Sequence, residues 1–545
     1  MRKNLVLLVI LVLAFIFRVW NLGTVPPHLT PDEASLGYNA YSILKTGKDE
    51  YGEVLPFILK SFGDYKPGLY VYLTVPSVAL LGLNEFSVRL PSALAGVLSV
   101  YLIFLITNKL FNSRRLSLLA AFVASLTPWL IYFSRGAWEV NVSLTLTLLG
   151  IYFFLKSFEK EKFLIFSTLF FSLTLLAYQG AKMSTGVVLL LLIALYWKKL
   201  IRFKRKTLVT SLVLGLVVSL PITLSLFRGQ TGRLNVFSVF SYPRPKEYLE
   251  AFLEEGSERV GDLNYYLFHS ETLNFARGIL GRFFNHFSGR FLFFEGDWSN
   301  PRHSAPYQGM LLLSDIILFI LGFVALVRKG LTKESAFIWL WLVLASGPSV
   351  LSRDQVHAVR ALNMAIPMIL LLSLGLDFLI SLRRKTLEYL FYGVYILAFV
   401  YFLDAYFVHV PKHNSKYWEY GYKQIVETIT PIQANYEKIK VQQSFAQPYI
   451  YFLFYQKYDP AKYQKQAKLV ESEYKGDVGY VTSLENIEFA PIDWSINRGE
   501  RGTLFVADTI RIPPEDSKDE SLFRLVKEIK YLNGRDTAFR IIEVL

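Results

Sequence analysis

Cysteine is absent from the 545-residue chain. That excludes disulfide bridges and thiolate metal sites and says nothing more about compartment. Charge is scarce too: charged residues make up 19% of the chain, against 53% hydrophobic and 16% aromatic, and the mean hydropathy is +0.34. A chain of this size and apolarity does not read as a soluble protein. A cleavage site is also missing. Arg2, Lys3 and the apolar run Leu5 to Phe17 resemble a signal peptide, but the chain continues Phe17-Arg18-Val19-Trp20-Asn21-Leu22, with no small-x-small pair. The segment reads as an uncleaved first helix entering from the cytoplasm, with Arg18 near its outer end and able to snorkel. No internal repeat of fixed period is visible, and no run after His409 reaches membrane length.

Before that point, uncharged runs recur, each near the ~20 residues needed to cross a bilayer. The expectation is an α-helical polytopic membrane protein with about eleven spans, at 4–22, 86–110, 116–134, 141–158, 162–178, 184–198, 207–227, 308–327, 334–351, 359–380 and 387–409. Inside the bilayer, helices must meet the backbone polar groups. The formal charge of +14 does not point to nucleic acid, because the basic residues sit in short loops: Arg114-Arg115, Lys198 to Lys206, Arg328-Lys329 and Arg383-Arg384-Lys385. With the N-terminus inside, all of these loops are cytoplasmic, as the positive-inside rule expects.

Two outer loops are long, 23–85 and 228–306. Loops of that length in a compact protein are usually functional. Within the first, Pro67 to Leu83 is apolar but broken by Pro76 and Gly82, and reads as an interfacial or re-entrant helix. Residues 1–410 form the expected transmembrane domain. Residues 411–545 are polar, with short apolar strands (Lys438 to Val441, Val478 to Val481, Thr503 to Ala507, Ala538 to Val544) between helical stretches (Trp418 to Thr428, Gln447 to Gln456). They read as a small extracytoplasmic α/β domain.

The first outer loop begins with Thr30-Pro31-Asp32-Glu33 and continues to Asp64-Tyr65-Lys66-Pro67. One reading of the first cluster is structural. Thr30 is a good N-cap, Pro31 suits the first helical position, and Glu33 completes a capping box for a helix that runs to Leu44 or Lys45 and stops at Gly47. Glu33 can cap while Asp32 points into a cleft. Other outer span ends carry Arg135 to Glu139, Tyr178 to Lys182, and Arg353, His357 and Arg360. Anchoring at the interface explains lone Arg, Lys, Tyr and Trp residues better than it explains Asp32, Asp64 and Glu139. Chemistry on a lipid phosphate needs such a set. A carboxylate takes a proton from the acceptor hydroxyl, cations stabilise the leaving phosphate, and a second acid holds a divalent cation or orients the acceptor.

Pro31-Asp32-Glu33, Lys66-Pro67-Gly68-Leu69-Tyr70 and Gly82-Leu83-Asn84-Glu85-Phe86-Ser87-Val88-Arg89 resemble the first outer loop of the GT-C membrane glycosyltransferases. The likeness is to the bacterial branch of aminoarabinose transferases of lipid A and relatives of the protein O-mannosyltransferases. It covers about residues 1–200, with Tyr178 to Lys182 and Arg360 to Pro367 matching more loosely. The resemblance implies transfer of a sugar from a polyprenyl-phosphate donor to an extracytoplasmic hydroxyl on a lipid, protein or polysaccharide, with inversion at the anomeric carbon. Asp32 matches the family's catalytic acid and Lys66 its phosphate-binding lysine, while Glu139 stands where the family usually has Asp. The acid directly before that lysine in aminoarabinose transferases is here Tyr65, with Asp64 one place earlier, so the resemblance leaves a divalent cation open.

The candidate catalytic acids are therefore Asp32, Glu33 and Glu139. The candidate binding residues for lipid phosphate and sugar are Lys66, Asp64, Tyr65, Arg135, Lys182, His357 and Arg360. A cation, if used, is expected at Asp32, Glu139 and His303. His303 with Asp297 and His286 matches no standard ligand spacing and reads rather as a hydrogen-bonded loop histidine. Arg89 reads as an anchor at the start of the second span. The competing function is a glycan-lipid flippase or transporter, which predicts repeats and intramembrane charges that are not evident here. A membrane-anchored binding protein acting through 411–545 leaves the first outer loop unexplained. The expected location is the plasma or inner membrane, with the site on the outer face.

Overall fold

The computed structural model describes residues 2–228, 234–443, 447–471 and 478–545. Part of the expected second outer loop, 229–233, thus lies outside the described residues. The chain begins with helices α1 (Arg2–Val19), α2 (Pro31–Thr46), α3 (Leu69–Leu81), α4 (Glu85–Phe111), α5 (Arg114–Leu126), α6 (Pro128–Ser134), α7 (Glu139–Ser157), α8 (Phe163–Ala177), α9 (Ala181–Leu200) and α10 (Arg205–Phe227). Between α2 and α3 lies the hairpin β1 (Ile58–Ser61) and β2 (Asp64–Pro67). The second outer loop contributes α11 (Leu234–Phe237), α12 (Lys246–Glu255) and α13 (Glu271–His286). Then follow α14 (Asp315–Arg328), α15 (Lys333–Leu344), α16 (Gly347–Val350), α17 (Ala365–Ser381) and α18 (Lys385–Asp404).

Each of the eleven expected spans contains one of these helices. Among the described residues, however, only six are long and apolar enough to cross a membrane, or seven if α5 and α6, bent by 58°, are one span. The helices of the first and fifth stretches, α1 and α8, are simply shorter apolar helices, and local breaks account for three others. Proline at 128 splits the third stretch, and Pro348 sits in the short α16 after α15 has ended. At 308–314 the backbone turns aside to bond the second outer loop, Leu311 N–H to the Leu292 carbonyl at 2.8 Å, so α14 starts late.

Arg18 does not snorkel. It is fully buried. Pro128 has no N–H, so the Ala124 carbonyl four residues earlier loses its helical donor. Arg18 on α1 supplies one instead, reaching the carbonyls of Ala124 and Ser125 at 3.2 Å. A cation at a helix C-terminus also meets the negative end of the dipole. The break in α5–α6 and the arginine in α1 are thus one feature.

The remaining helices are α19 (Val410–Asn414), α20 (Tyr422–Ile429), α21 (Pro448–Tyr455), α22 (Pro460–Gln466) and α23 (Trp494–Asn497). The strands are β3 (Ile439–Gln442), β4 (Leu469–Val470), β5 (Tyr480–Val481), β6 (Ser483–Leu484), β7 (Ile487–Ala490), β8 (Leu504–Ala507), β9 (Phe523–Lys530) and β10 (Thr537–Val544). Six strands form one mixed sheet in the order β6-β7-β3-β8-β10-β9. β3 runs parallel to both β7 and β8, and β10 is antiparallel to β8 and β9. Helix α21, apolar and aromatic along its length, buries Tyr449 to Phe454 in a core shared with α2. Polar ties cross the same contact. The Tyr451 hydroxyl donates to the Leu29 carbonyl at 3.1 Å, Tyr38 to Tyr458 O at 3.2 Å, and Lys423 pairs with Glu85 at 2.8 Å. The C-terminal part is therefore seated on the 23–85 segment.

Candidate active site

Helix α2 starts as its sequence implies. Thr30 accepts from the Glu33 N–H at 3.2 Å, and Glu33 Oε2 accepts from the Thr30 N–H at 3.0 Å. Gly47 closes the helix in the left-handed conformation at φ 70°. The same Glu33 carboxylate takes Arg89 Nε at 3.0 Å and the Ala137 N–H at 2.8 Å. Both of its oxygens are engaged and it is buried, so this candidate acid sits behind the cleft and ties α2, α4 and the approach to α7 together. Arg89 is more than an anchor: wholly buried, it also donates to the carbonyls of Leu22, Pro26 and His28. Its sequence signal was an arginine at the start of an otherwise apolar run.

With Glu33 turned inward, Asp32 faces outward, its side chain 64% exposed. It pairs with Lys66 of β2. The β1–β2 hairpin closes through the two-residue turn Phe62-Gly63, both at positive φ (55° and 81°), as a tight hairpin turn requires. Alternation along β2 then sends Asp64 and Lys66 to one face and Tyr65 to the other. Burial works against the Lys66 ammonium, but the charges of Asp32 and Glu139 outweigh it and hold its pKa above the ordinary lysine value.

These groups line a cleft of about 620 Å³. Asp32, Asp64, Lys66, Glu139, Lys182, His357 and Arg360, seven of the residues singled out from sequence, are on its wall. Glu139 Oε1 is buried with no hydrogen-bond partner among the described residues, so it can accept from a hydroxyl. Arg360 bonds Asp354 at 2.8 Å, and its guanidinium lies 4.5 Å from the centre of the Phe237 ring. Phe237, Phe240, Met183 and Leu351 give one part of the cleft an apolar lining. Sequence reasoning did not single out Ser61, Phe62 or Val478, which also line it. No local signal marks them, because they reach the cleft only through the hairpin turn and the C-terminal part.

Three candidates lie elsewhere. Tyr65 is on the far face of β2, where its carbonyl accepts from the Gln179 side chain. Arg135 is buried, donating to the carbonyls of Phe17 and Val25 at 2.9 Å and stacking 4.7 Å from the Phe407 ring. It caps the end of α1 rather than meeting a ligand. His303 is buried away from the cleft wall, its Nδ1 2.9 Å from Asp297 Oδ2.

The expected cation set of Asp32, Glu139 and His303 is not assembled among the described residues. The group able to hold a metal is Asp297, His303 and His357, whose ligand atoms lie within 4.8 Å of one another. Its donors are already engaged. Asp297 Oδ2 also accepts the Ala358 N–H at 2.7 Å, and Oδ1 takes the Asn300 N–H at 3.1 Å. These contacts compete with a cation for Asp297 and for His303 Nδ1. Burial holds both histidines below the ordinary pKa, and Arg360 lowers His357 further. As they stand, these contacts fit a hydrogen-bonded clamp on the 357–360 segment. His286 extends the clamp, its Nε2 accepting the His357 N–H at 3.2 Å.

Residues 65–224 match the family model described as dolichyl-phosphate-mannose-protein mannosyltransferase. Over nearly its whole length the chain superposes on ArnT from Cupriavidus metallidurans bound to undecaprenyl phosphate. The TM-score is 0.55 at 13% identity, covering 99% of this chain and 97% of that one. The chain has the GT-C glycosyltransferase fold. The apo form of the same ArnT gives a TM-score of 0.54. The putative mannosyltransferase YkcB of Bacillus subtilis (strain 168) is 28% identical over 167 residues, which are 30% of this chain and 22% of that protein. The mannosyltransferase match holds Lys66, Glu139 and Lys182. Asp32 falls outside it and is joined to it by the contact with Lys66.

Proposed function

We propose that the protein is an integral-membrane GT-C glycosyltransferase that moves a sugar from a polyprenyl-phosphate donor to an extracytoplasmic hydroxyl, with inversion at the anomeric carbon. The pairing of Asp32 with Lys66 on the wall of a cleft that also holds Glu139 carries this reading. The undecaprenyl phosphate bound by the structurally similar ArnT supports a lipid donor. In this reading residues 1–410 span the membrane about eleven times, with the N-terminus inside. Residues 411–545 and the cleft lie on the outer face.

The mechanism follows from the pair. Asp32 and Lys66 satisfy each other while the cleft is empty of substrate. A donor phosphate competes for Lys66, and Arg360 adds a second cation from the α16–α17 side. The Asp32 carboxylate then accepts the proton of the acceptor hydroxyl as that oxygen bonds to the anomeric carbon. The bond from that carbon to the phosphate oxygen breaks, and the charge developing on the phosphate is met by Lys66 and Arg360. Glu139 and Lys182 hold sugar or acceptor hydroxyls, and no step is assigned to a metal. Asp32→Asn separates chemistry from folding, since the α2 cap is made by Thr30 and Glu33 and is left intact. Transfer should fall by roughly 10²–10⁴ with the fold and donor binding intact. Transfer near the wild-type rate would remove Asp32 as the base.

A further inference from the structure

Among the described residues, the C-terminal part reaches the cleft at Val478. Its strands β4 and β5 pair antiparallel, Leu469 opposite Val481 and Val470 opposite Tyr480. Just before β5, Val478 is on the cleft wall. The next residue, Gly479, donates its N–H to the Phe62 carbonyl at 2.7 Å. Phe62 and Gly63 are the turn of the hairpin whose second strand carries Asp64 and Lys66. The Phe62 ring lies 5.5 Å from Lys66 Nζ and packs edge-on against Tyr449 of α21 at 6.0 Å. Lys60 of β1 pairs with Glu471 at 3.0 Å.

Two glycines make this approach possible. A Cβ on Gly63 would come 3.3 Å from Gly479 N and 3.6 Å from the Leu469 side chain, at a φ of +81° that already disfavours a side chain. A Cβ on Gly479 would meet the Val470 carbonyl at 2.8 Å and Leu469 at 3.0 Å. Gly63 is thus the close contact to the C-terminal part, and Gly479 fits tightly against its own strand partner β4, so a side chain at either position would shift the two segments. An isolated two-stranded hairpin is marginally stable in water. The β1–β2 sheet has only two strands, so the order of its turn must come from outside the hairpin.

We propose that strands β4 and β5 of the C-terminal part, with Val478 and Gly479 just before β5, are a positioning element of the active site, with Gly479 holding the Phe62-Gly63 turn and thereby the place of Lys66 in the cleft. This rests on the reading of Lys66 as the phosphate ligand. It makes residues beyond 410 part of the transferase site and not an appended module. A displacement of about 1 Å at a positioning group can cost on the order of a hundredfold.

The test uses the full-length protein in lipid nanodiscs and undecaprenyl phosphate as probe, measuring its dissociation constant. The variants are Gly479→Ala, Leu469→Ala as a milder loosening of the same contact, Lys66→Ala, and the double variant Gly479→Ala with Lys66→Ala. Gly499→Ala, where a Cβ meets nothing closer than 3.7 Å, controls for a glycine change in the same part. Gly479→Ala should weaken the probe roughly tenfold to a hundredfold and Leu469→Ala less, with Gly499→Ala unchanged. The double variant should be no weaker than Lys66→Ala alone, because Gly479 acts through Lys66. Unchanged affinity in folded Gly479→Ala and Leu469→Ala overturns the inference, as does an additive loss in the double variant. Lys66→Ala that binds like wild type overturns the functional reading instead.

Discussion

At the scale of single residues, the Asp32–Lys66 contact sets the behaviour of the cleft. Each side chain serves the other until a phosphate arrives, so charge at position 66 should matter more than shape. Lys66→Ala removes a charge-assisted bond of about 1.5–3 kcal/mol, a loss of roughly tenfold to a hundredfold in donor affinity. Lys66→Arg keeps the charge and should lose less. Binding measurements in which both variants match wild type would take Lys66 out of the site. A second residue-scale outcome concerns Glu50, buried beneath α2, where it accepts from Asn39 Nδ2 at 3.1 Å. Burial pushes its pKa up to about 8. An acid with a raised folded pKa contributes stability that is present below its unfolded value near 4.5 and is lost as pH rises to the folded one. Between those values Glu50 costs the fold roughly 1.4 kcal/mol per pH unit. Glu50→Gln should therefore gain melting temperature over wild type as pH goes from 5 to 8. A difference that stays flat with pH across that interval would refute the assignment.

At the scale of elements, the start of α2 is held twice, once by its own capping box and once by Arg89 of α4. The cap is local, and its loss costs about 0.5–2 kcal/mol. The Glu33–Arg89 pair is buried, and breaking a buried pair by removing one partner costs about 3–5 kcal/mol because the other charge is stranded. Arg89→Ala should then destabilise more than Thr30→Ala in thermal unfolding of the purified protein. The reverse order would mean that the cap, not the buried pair, sets α2. The hairpin shows a different logic: its tight turn and the period of two place Lys66 and Asp64 on the cleft face and turn Tyr65 away.

At the scale of the whole molecule, the cleft draws on segments far apart in the chain: the first outer loop, the ends of α7, α9 and α16, the start of the second outer loop, and Val478. The proposed orientation places all of them outside. Because the native chain has no cysteine, single replacements report sidedness without background. Lys465→Cys, exposed on the C-terminal part, should react in intact cells with a membrane-impermeant maleimide. Lys204→Cys, between α9 and α10, should react only after permeabilisation. The opposite pattern would put the cleft on the cytoplasmic face.

Local chemistry made much of this legible from sequence. The Thr-Pro-Asp-Glu box, the glycine that ends α2, the short apolar α3 and the apolar character of the helices depend on near neighbours and on hydropathy, which a sequence carries openly. Asp32 and Glu139 stood out by residue type at span ends and Lys66 by the motif it shares with the resembled family, and the fold brings all three to one cleft. What the sequence did not determine depends on long-range geometry. Glu33 and Arg135 look like site residues along the chain. In the structure they are consumed by partners that come from other helices, Arg89 for one and the Phe17 and Val25 carbonyls for the other. His303 was likewise claimed by Asp297. Span lengths failed where proline and backbone pairing break an apolar run that hydropathy alone reads as continuous. The share of the C-terminal part in the cleft was invisible for the same reason. A hydrogen bond between Gly479 and Phe62 joins residues hundreds of positions apart, and only close packing of two glycine-bearing backbones decides it.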